Sequence, residues 1–110
     1  MLNLSQNMVT EEGADYLCKA LEKTKTLKTL KIAANGLGSA FGKELSRVLA
    51  TNSSLKFLNI CSNEIGSEGG KDLQEGIAQN STLCEIDLRL TSVGPDAEEA
   101  ITAKLKKNAQ

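Results

Sequence analysis

The residues in this chain that could do chemistry are few, and their spacing argues against catalysis. There is no histidine, which removes the commonest general base and the usual partner of a serine or cysteine nucleophile. The carboxylates Glu85 and Asp87 lie two positions apart. On a strand that spacing puts both on one face, but nothing nearby encloses them in a pocket that would shift a pKa. Three cysteines, Cys18, Cys61 and Cys84, form an odd set with no C-x-x-C spacing, so neither a zinc site nor a disulfide framework is expected. They read as free thiols of a reducing cytosol, and Cys61 has no neighbouring base to activate it. The glycine pairs Gly36/Gly38 and Gly69/Gly70 lack the strand, loop and lysine order of a phosphate loop. They suit turns and close helix packing instead. No catalytic residue, metal or cofactor is expected.

Composition narrows the partners. Lys and Arg number 13 against 14 Asp and Glu, a net charge of -1, and the two signs are interspersed along the chain. Without a long basic run, nucleic acid and anionic membranes are not expected partners. Two Phe, one Tyr and no Trp leave little for base stacking. No stretch of 18 apolar residues occurs, and the opening Met-Leu-Asn-Leu-Ser-Gln-Asn lacks the basic-then-apolar order of a signal peptide. At 110 residues the chain is expected to be one soluble, cytoplasmic domain that buries roughly two-thirds of its unfolded surface around an aliphatic core.

What must position these residues is a repeat. Leu27-x-x-Leu30-x-Ile32-x-x-Asn35-x-Leu37 returns 28 residues later as Leu55-x-x-Leu58-x-Ile60-x-x-Asn63-x-Ile65. It returns again as Leu83-x-x-Ile86-x-Leu88-x-x-Thr91-x-Val93, and a shortened copy, Leu2-x-Leu4-x-x-Asn7-x-Val9, opens the chain. A unit of this length is a strand plus a helix that cannot bury its apolar face alone and must stack on its neighbours. The boundaries are a partial repeat 1–26 and full repeats 27–54, 55–82 and 83–110.

Within one unit, Thr29-Leu30-Lys31-Ile32-Ala33 alternates as a half-buried strand does, with Leu30 and Ile32 inward. Asn35-Gly36 and Gly38 mark a turn. From Ser39 to about Ala50 the apolar spacing of Phe41, Leu45, Val48 and Leu49 becomes helical. The other helices are expected to bury Ala14, Leu17, Ala20 and Leu21; Gly70, Leu73 and Ile77; and Ala97, Ile101 and Leu105. Thr10 suits an N-cap with Glu11 and Glu12 in the first turn, and Pro95 suits the start of the last helix. Strands joined through helices run parallel with right-handed crossovers. The expected fold is therefore α/β: a right-handed βα solenoid with a short-stranded parallel sheet on its concave side. Asn7, Asn35 and Asn63 fall at the bend after each strand, where an amide can satisfy backbone groups that the turn leaves unpaired. Thr91 breaks that series.

This pattern resembles the leucine-rich repeat family, and in its 28-residue period the ribonuclease-inhibitor-like subclass, over essentially the whole chain. The resemblance implies an α/β horseshoe whose concave face binds other proteins. The last repeat, Cys84 to Gly94, is also similar to closing repeats in leucine-rich proteins of cilia, such as the dynein regulatory complex. Cytosolic innate-immune receptors carry repeats of the same subclass.

By register, the concave face presents Asn3 and Ser5; Thr29, Lys31 and Ala33; Phe57, Asn59 and Cys61; and Glu85, Asp87 and Arg89. An exposed aromatic among charges is a usual hot-spot composition. Lys31, Phe57, Asn59, Glu85, Asp87 and Arg89 are accordingly the expected partner-binding residues, unless Phe57 only covers aliphatic stems and the charged residues only pair across strands. At the far end Glu98 replaces the small residue found as Ala14, Gly42 and Gly70, and Lys104, Lys106, Lys107 and Asn108 make the last turn polar, as in a capping repeat. The near end begins inside a strand with Leu2, Leu4, Val9, Leu17 and Leu21 uncovered. That predicts either the C-terminal part of a longer array or self-association through the bare edge.

The expected function is a protein–protein interaction or scaffold module without chemistry of its own. The alternatives are a regulator of an enzyme, as an inhibitor or as a small-GTPase activator relying on Arg89, and a structural spacer in a ciliary or axonemal complex. The resemblance adds a cytoskeletal or ciliary setting to the cytoplasmic one.

Overall fold

In a computed structural model describing residues 1–110, strands and helices alternate in the expected order. They are β1 (Leu2–Asn3), α1 (Glu11–Lys23), β2 (Thr29–Lys31), α2 (Ser39–Leu49), β3 (Phe57–Asn59), α3 (Gly66–Ala78), β4 (Glu85–Asp87) and α4 (Pro95–Asn108). The four strands form one parallel sheet in chain order. Its register follows the repeat: Leu2 faces Leu30, Leu30 faces Leu58, and Leu58 faces Ile86. The helices also pack in chain order, α1 on α2, α2 on α3 and α3 on α4. Strand and helix layers enclose one apolar cluster, in which Leu30, Ile32, Leu37, Leu45, Leu55, Leu58, Ile60, Ile65, Leu73 and Leu83 are wholly buried.

The strands are shorter than the alternation suggests, because only three residues per unit pair before the chain bends. Met8, Gly36 and Ser92 are left-handed, and at every bend the same position two residues ahead of them in the repeat is so as well: Gln6 (φ 60°), Ala34 (φ 57°), Ser62 (φ 58°) and Leu90 (φ 58°), again 28 apart. None of these four is glycine, so each conformation costs about 1 kcal/mol or more and persists because neighbours hold it. The amides of Gln6, Ala34 and Ser62 donate to the carbonyls of Ala33, Cys61 and Arg89 on the next strand at 2.9–3.0 Å.

Two asparagine ladders tie the units together. On the first, the Asn35 amide oxygen accepts from Asn7 N (3.1 Å) and Val9 N (2.8 Å), and the Asn63 oxygen accepts from Asn35 N (3.0 Å) and Leu37 N (3.1 Å). The Asn63 nitrogen donates to the Ile32 and Ile60 carbonyls at 3.0 Å. Asn7 departs from the expectation. It is exposed, and its side chain donates only to the Ser5 carbonyl of its own unit, β1 having a strand on one side only. Thr91 ends the ladder with its hydroxyl on the Leu88 carbonyl.

The second ladder runs along the helix ends. Asn52 Nδ2 donates to the Leu21 carbonyl and Asn80 Nδ2 to the Leu49 carbonyl. The oxygens of the two amides accept from Ser54 and Leu55, and from Thr82 and Leu83. Asn108 extends the series onto the Asn80 and Leu83 carbonyls. Asn52 follows the end of α2, and Asn108 lies in the polar last turn of α4. Both are inter-unit braces.

Helix α1 corrects one expectation. Cys18 is fully buried, whereas Leu17 is only half-buried and Ala20 is exposed. Cys18 and Leu21 lie on the stripe facing α2, and Leu17 and Ala20 turn toward the open side of β1. The expected caps form. Thr10 Oγ1 accepts from Gly13 N, and the N-terminus of α2, which lacks a cap of its own, receives the Glu11 carboxylate on Gly38 N at 2.8 Å.

Glycines set the helix spacing. A Cβ at Gly76 would lie 2.6 Å from Ser46 Oγ and closer still to the Ser46 carbonyl oxygen, and one at Gly70 would lie 2.6 Å from Val93 Cβ. The Ser46 hydroxyl in turn donates to the Asp72 carbonyl across the same seam. With no Cβ between them, α2 and α3 approach backbone to backbone. No helix is long and apolar enough to cross a membrane.

Candidate interaction surface

The outer face of the sheet carries three rows of side chains, each set by the register. The first is Thr29, Phe57 and Glu85; the second is Asn3, Lys31, Asn59 and Asp87. The third, one step beyond the paired residues, is Ser5, Ala33, Cys61 and Arg89. Lys31, Phe57, Asn59 and Asp87 are half-buried, while Glu85 and Arg89 are exposed. Ala33, expected to be free, is 9% exposed; Ser5 Oγ accepts its amide at 3.0 Å and covers it.

The second row is partly committed to the backbone. Asn3, Asn59 and Asp87 each accept the amide two residues on, at 3.0, 3.0 and 3.1 Å. These bonds shape the bend after the strand and occupy one acceptor of each side chain. The pairing of charges also differs from the expected cross-strand pattern. Asp87 pairs along its own strand with Arg89, which grips it through Nε (3.0 Å) and Nη2 (2.8 Å). That hydrogen bond holds the Asp87 carboxyl below the usual carboxylate range and raises the Arg89 guanidinium. Because the Asp87 pKa is depressed on folding, the interaction is present above the ordinary carboxylate pKa and is lost as pH falls through the folded-state value. Its contribution is small, since Arg89 is 81% exposed and water screens it.

Four of the six expected residues meet at one place. Phe57, Glu85, Asp87 and Arg89, with Ile86, Leu88, Glu98 and Thr102, line a groove of about 310 Å³ between the free edge of β4 and α4. Lys31 and Asn59 lie outside it, further along the sheet. Leu90, 78% exposed, stands beside the groove at the bend. The repeat pattern does not mark this exposed apolar side chain, because its position in the other units is held by Gln6, Ala34 and Ser62. Nothing in this groove resembles a reaction centre. Glu85 and Glu98 face solvent, Asp87 is half-buried against Arg89, and no cluster of three or more His, Cys, Asp or Glu could hold a metal.

The thiols differ in environment. Burial pushes the Cys18 thiol up to about 12, with the Glu44 charge adding to the effect. Cys61 and Cys84 are half-buried, and Cys84 donates weakly to the Thr82 carbonyl. Thiol labelling of the native protein near pH 8 is therefore expected to modify Cys61 and Cys84 and to spare Cys18 until the fold opens. Peptide mapping after brief alkylation checks this; early modification of Cys18 would show that α1 frays from α2.

No curated protein sequence matches the chain. Among solved structures it is similar to leiomodin-1 actin-binding site 2, with a TM-score of 0.80 and 25% identity over 96% of this chain. The chain spans 63% of the length of that leiomodin-1 structure. It also shares its fold with the tropomodulin C-terminal domain of Caenorhabditis elegans, with a TM-score of 0.59 and 16% identity, covering 99% of this chain and 81% of that one. These likenesses support a leucine-rich domain, but point neither to the ribonuclease-inhibitor-like subclass nor to ciliary proteins. The TMOD/LMOD leucine-rich domain matches residues 1–110, and with strands, ladders and core all in the register of one repeat, the chain belongs to that leucine-rich domain family.

Proposed function

We propose that this chain is a protein-binding module of the actin cytoskeleton, without catalytic chemistry, and that actin is its partner. The observation that carries the reading is the likeness to leiomodin-1 actin-binding site 2, which extends over 96% of the chain. In this reading the four units, 1–26, 27–54, 55–82 and 83–110, form one domain, a segment of a βα solenoid within a longer array. The module works in the cytoplasm, and a spacer role in a ciliary complex has no separate observation in its favour.

The contact is made by the sheet face, with Phe57 as its apolar centre and Lys31, Asn59, Glu85, Asp87 and Arg89 around it. Support comes from the groove that Phe57, Glu85, Asp87 and Arg89 share. A half-buried aromatic ringed by charged groups can desolvate on docking while the rim keeps its water. Titration of the chain with actin monomers, followed by calorimetry or polarisation, tests both parts. Saturable binding is expected, weakened about tenfold or more by Phe57→Ala. Absence of binding by the unsubstituted chain removes actin as partner. Binding that Phe57→Ala and Lys31→Glu both leave intact moves the contact off the sheet face.

The open side of β1 belongs to the same proposal. Leu2, Leu4, Val9 and Leu17 pack against the core but stay partly exposed, Met8 is 85% exposed, and β1 has a strand on one side only. A preceding unit of the array, or a second copy, covers this edge.

A further inference from the structure

The near-zero net charge conceals a segregation that only the fold reveals. At the rim where helices begin stand Glu11, Glu12, Glu64, Glu68, Asp96, Glu98 and Glu99. At the opposite rim, where chains leave the helices and start the strands, residues 23–31 carry Lys23, Lys25, Lys28 and Lys31 and no acid. Lys56 joins them, since its amide donates to the Lys28 carbonyl at 2.8 Å, making Lys28 and Lys56 neighbours across β2 and β3.

Lys23, Lys25, Lys28 and Lys56 are all exposed, and none pairs with a carboxylate. The ion pairs of this fold involve Lys19, Arg47 and Arg89 instead. The nearest acid on α1, Glu22, is held by Arg47, and Glu75 in the last turn of α3 lies one unit away, beyond β3. Helix-dipole complementarity accounts for Lys23, which sits in the last turn of α1. It does not account for Lys25, Lys28 and Lys56, which lie outside the helices. They are exposed charges outside any ion pair, concentrated at one end of the sheet, with the exposed acid Glu85 beside Lys56 through its amide on the Lys56 carbonyl.

We infer that this lysine rim is an electrostatic docking surface for an acidic protein surface. The rim holds no arginine for reading bases, and the one aromatic beside it, Phe57, is half-buried on the sheet face, which leaves no platform of stacking rings. Of the exposed large apolar residues, Met8, Tyr16 and Leu90 lie elsewhere and only Met1, beside Thr29 by the strand register, stands near the rim, so the rim lacks the apolar face that enters a lipid interface. Flexible, hydrated ammonium groups over threonine and serine, without apolar anchors, suit long-range attraction of an acidic face. Such attraction raises encounter rates and fades with salt. The rim and the sheet face then divide the work: lysines steer the partner in, and the Phe57 groove holds it. That division rests on the proposed protein-binding role, but the charge of the preferred ligand does not.

The test compares the whole chain, a rim variant (Lys25→Glu, Lys28→Glu, Lys56→Glu) and a helix-side variant of equal net charge (Lys43→Glu, Lys71→Glu, Lys104→Glu). Each is titrated in low salt with poly-L-glutamate, a DNA oligonucleotide and phosphatidylserine vesicles, after circular dichroism shows that all three are folded. The unsubstituted chain is expected to bind poly-L-glutamate in preference to the other two probes. The rim variant should lose that binding about tenfold or more, and the helix-side variant should keep most of it. Tighter binding to DNA or to vesicles, or equal losses in both variants, overturns the inference. With actin monomers, stopped-flow association should slow about tenfold in the rim variant at low salt and converge with the unsubstituted chain at high salt. If actin does not bind at all, the actin reading falls while the poly-L-glutamate arm still judges the rim.

Discussion

Replacing Asn63 with alanine is expected to destabilise the fold by about 4 kcal/mol, because it strips partners from several buried backbone groups at once. The Asn63 oxygen is the acceptor for Asn35 N and Leu37 N in the neighbouring unit, and its nitrogen serves the Ile32 and Ile60 carbonyls. The residue is 1% exposed, so water cannot take over these bonds. Each orphaned group costs about 1–3 kcal/mol, against a total stability of about 5–15 kcal/mol for a domain. Asn35→Ala should cost nearly as much, since that amide serves Asn7, Val9 and Leu4 in the same way. Asn7→Ala should be almost neutral, because Asn7 is exposed and serves only Ser5. Urea unfolding of the three variants measures this gradient. Equal losses at positions 7 and 63 would falsify the ladder as the source of the effect.

The second large effect belongs to Gly76. An alanine there should destabilise by about 3 kcal/mol, even though alanine favours a helix interior by about 1 kcal/mol over glycine. The new methyl would press on the Ser46 carbonyl and hydroxyl, and backbone atoms cannot swing away as a flexible side chain can. To admit it, α3 must move off α2 and give up the close seam closed by Ser46 and Asp72. For a domain of this size a loss of that magnitude lowers Tm by more than about 10 °C. Gly36→Ala provides the contrast. Gly36 has φ +69° and open space around it, so its cost is backbone strain alone, about 1 kcal/mol. Differential scanning calorimetry separates the two cases, and a Gly76→Ala protein that melts with the unsubstituted chain removes the close-packing account.

The repeat register carried most of the architecture. Leu30, Leu58 and Ile86 align because identical spacing in each unit leaves only one way for three strands to bury the same positions. The six residues expected to bind a partner fall in the outer rows of the sheet register, since side-chain alternation on a strand is a local rule. Local rules stop short of the groove. Whether Phe57 meets Glu85, Asp87 and Arg89 depends on how α4 sits against β4, which involves Glu98 and Thr102 one helix away. The helix-end ladder shows a different limit. Asn52, Asn80 and Asn108 are evenly spaced, but polar residues after a helix are common, and only the carbonyls of Leu21, Leu49 and Leu83 beside them reveal a brace.

What the sequence determined by itself was the unit: a strand, a bend and a helix every 28 residues, with a fixed inward face. It did so because hydrophobic periodicity is a property of neighbouring residues. The tertiary structure decided what depends on stacking those units. The bends place Gln6, Ala34, Ser62 and Leu90 in one strained conformation, although the four side chains have nothing in common, and the carbonyls of Ala33, Cys61 and Arg89 in the next unit hold the first three there. Stacking also brings Lys56 beside the lysines of residues 23–31, while the acids that precede the helices gather at the opposite rim. Charge in a sequence is counted along a line, whereas attraction to a partner depends on which side chains share a surface.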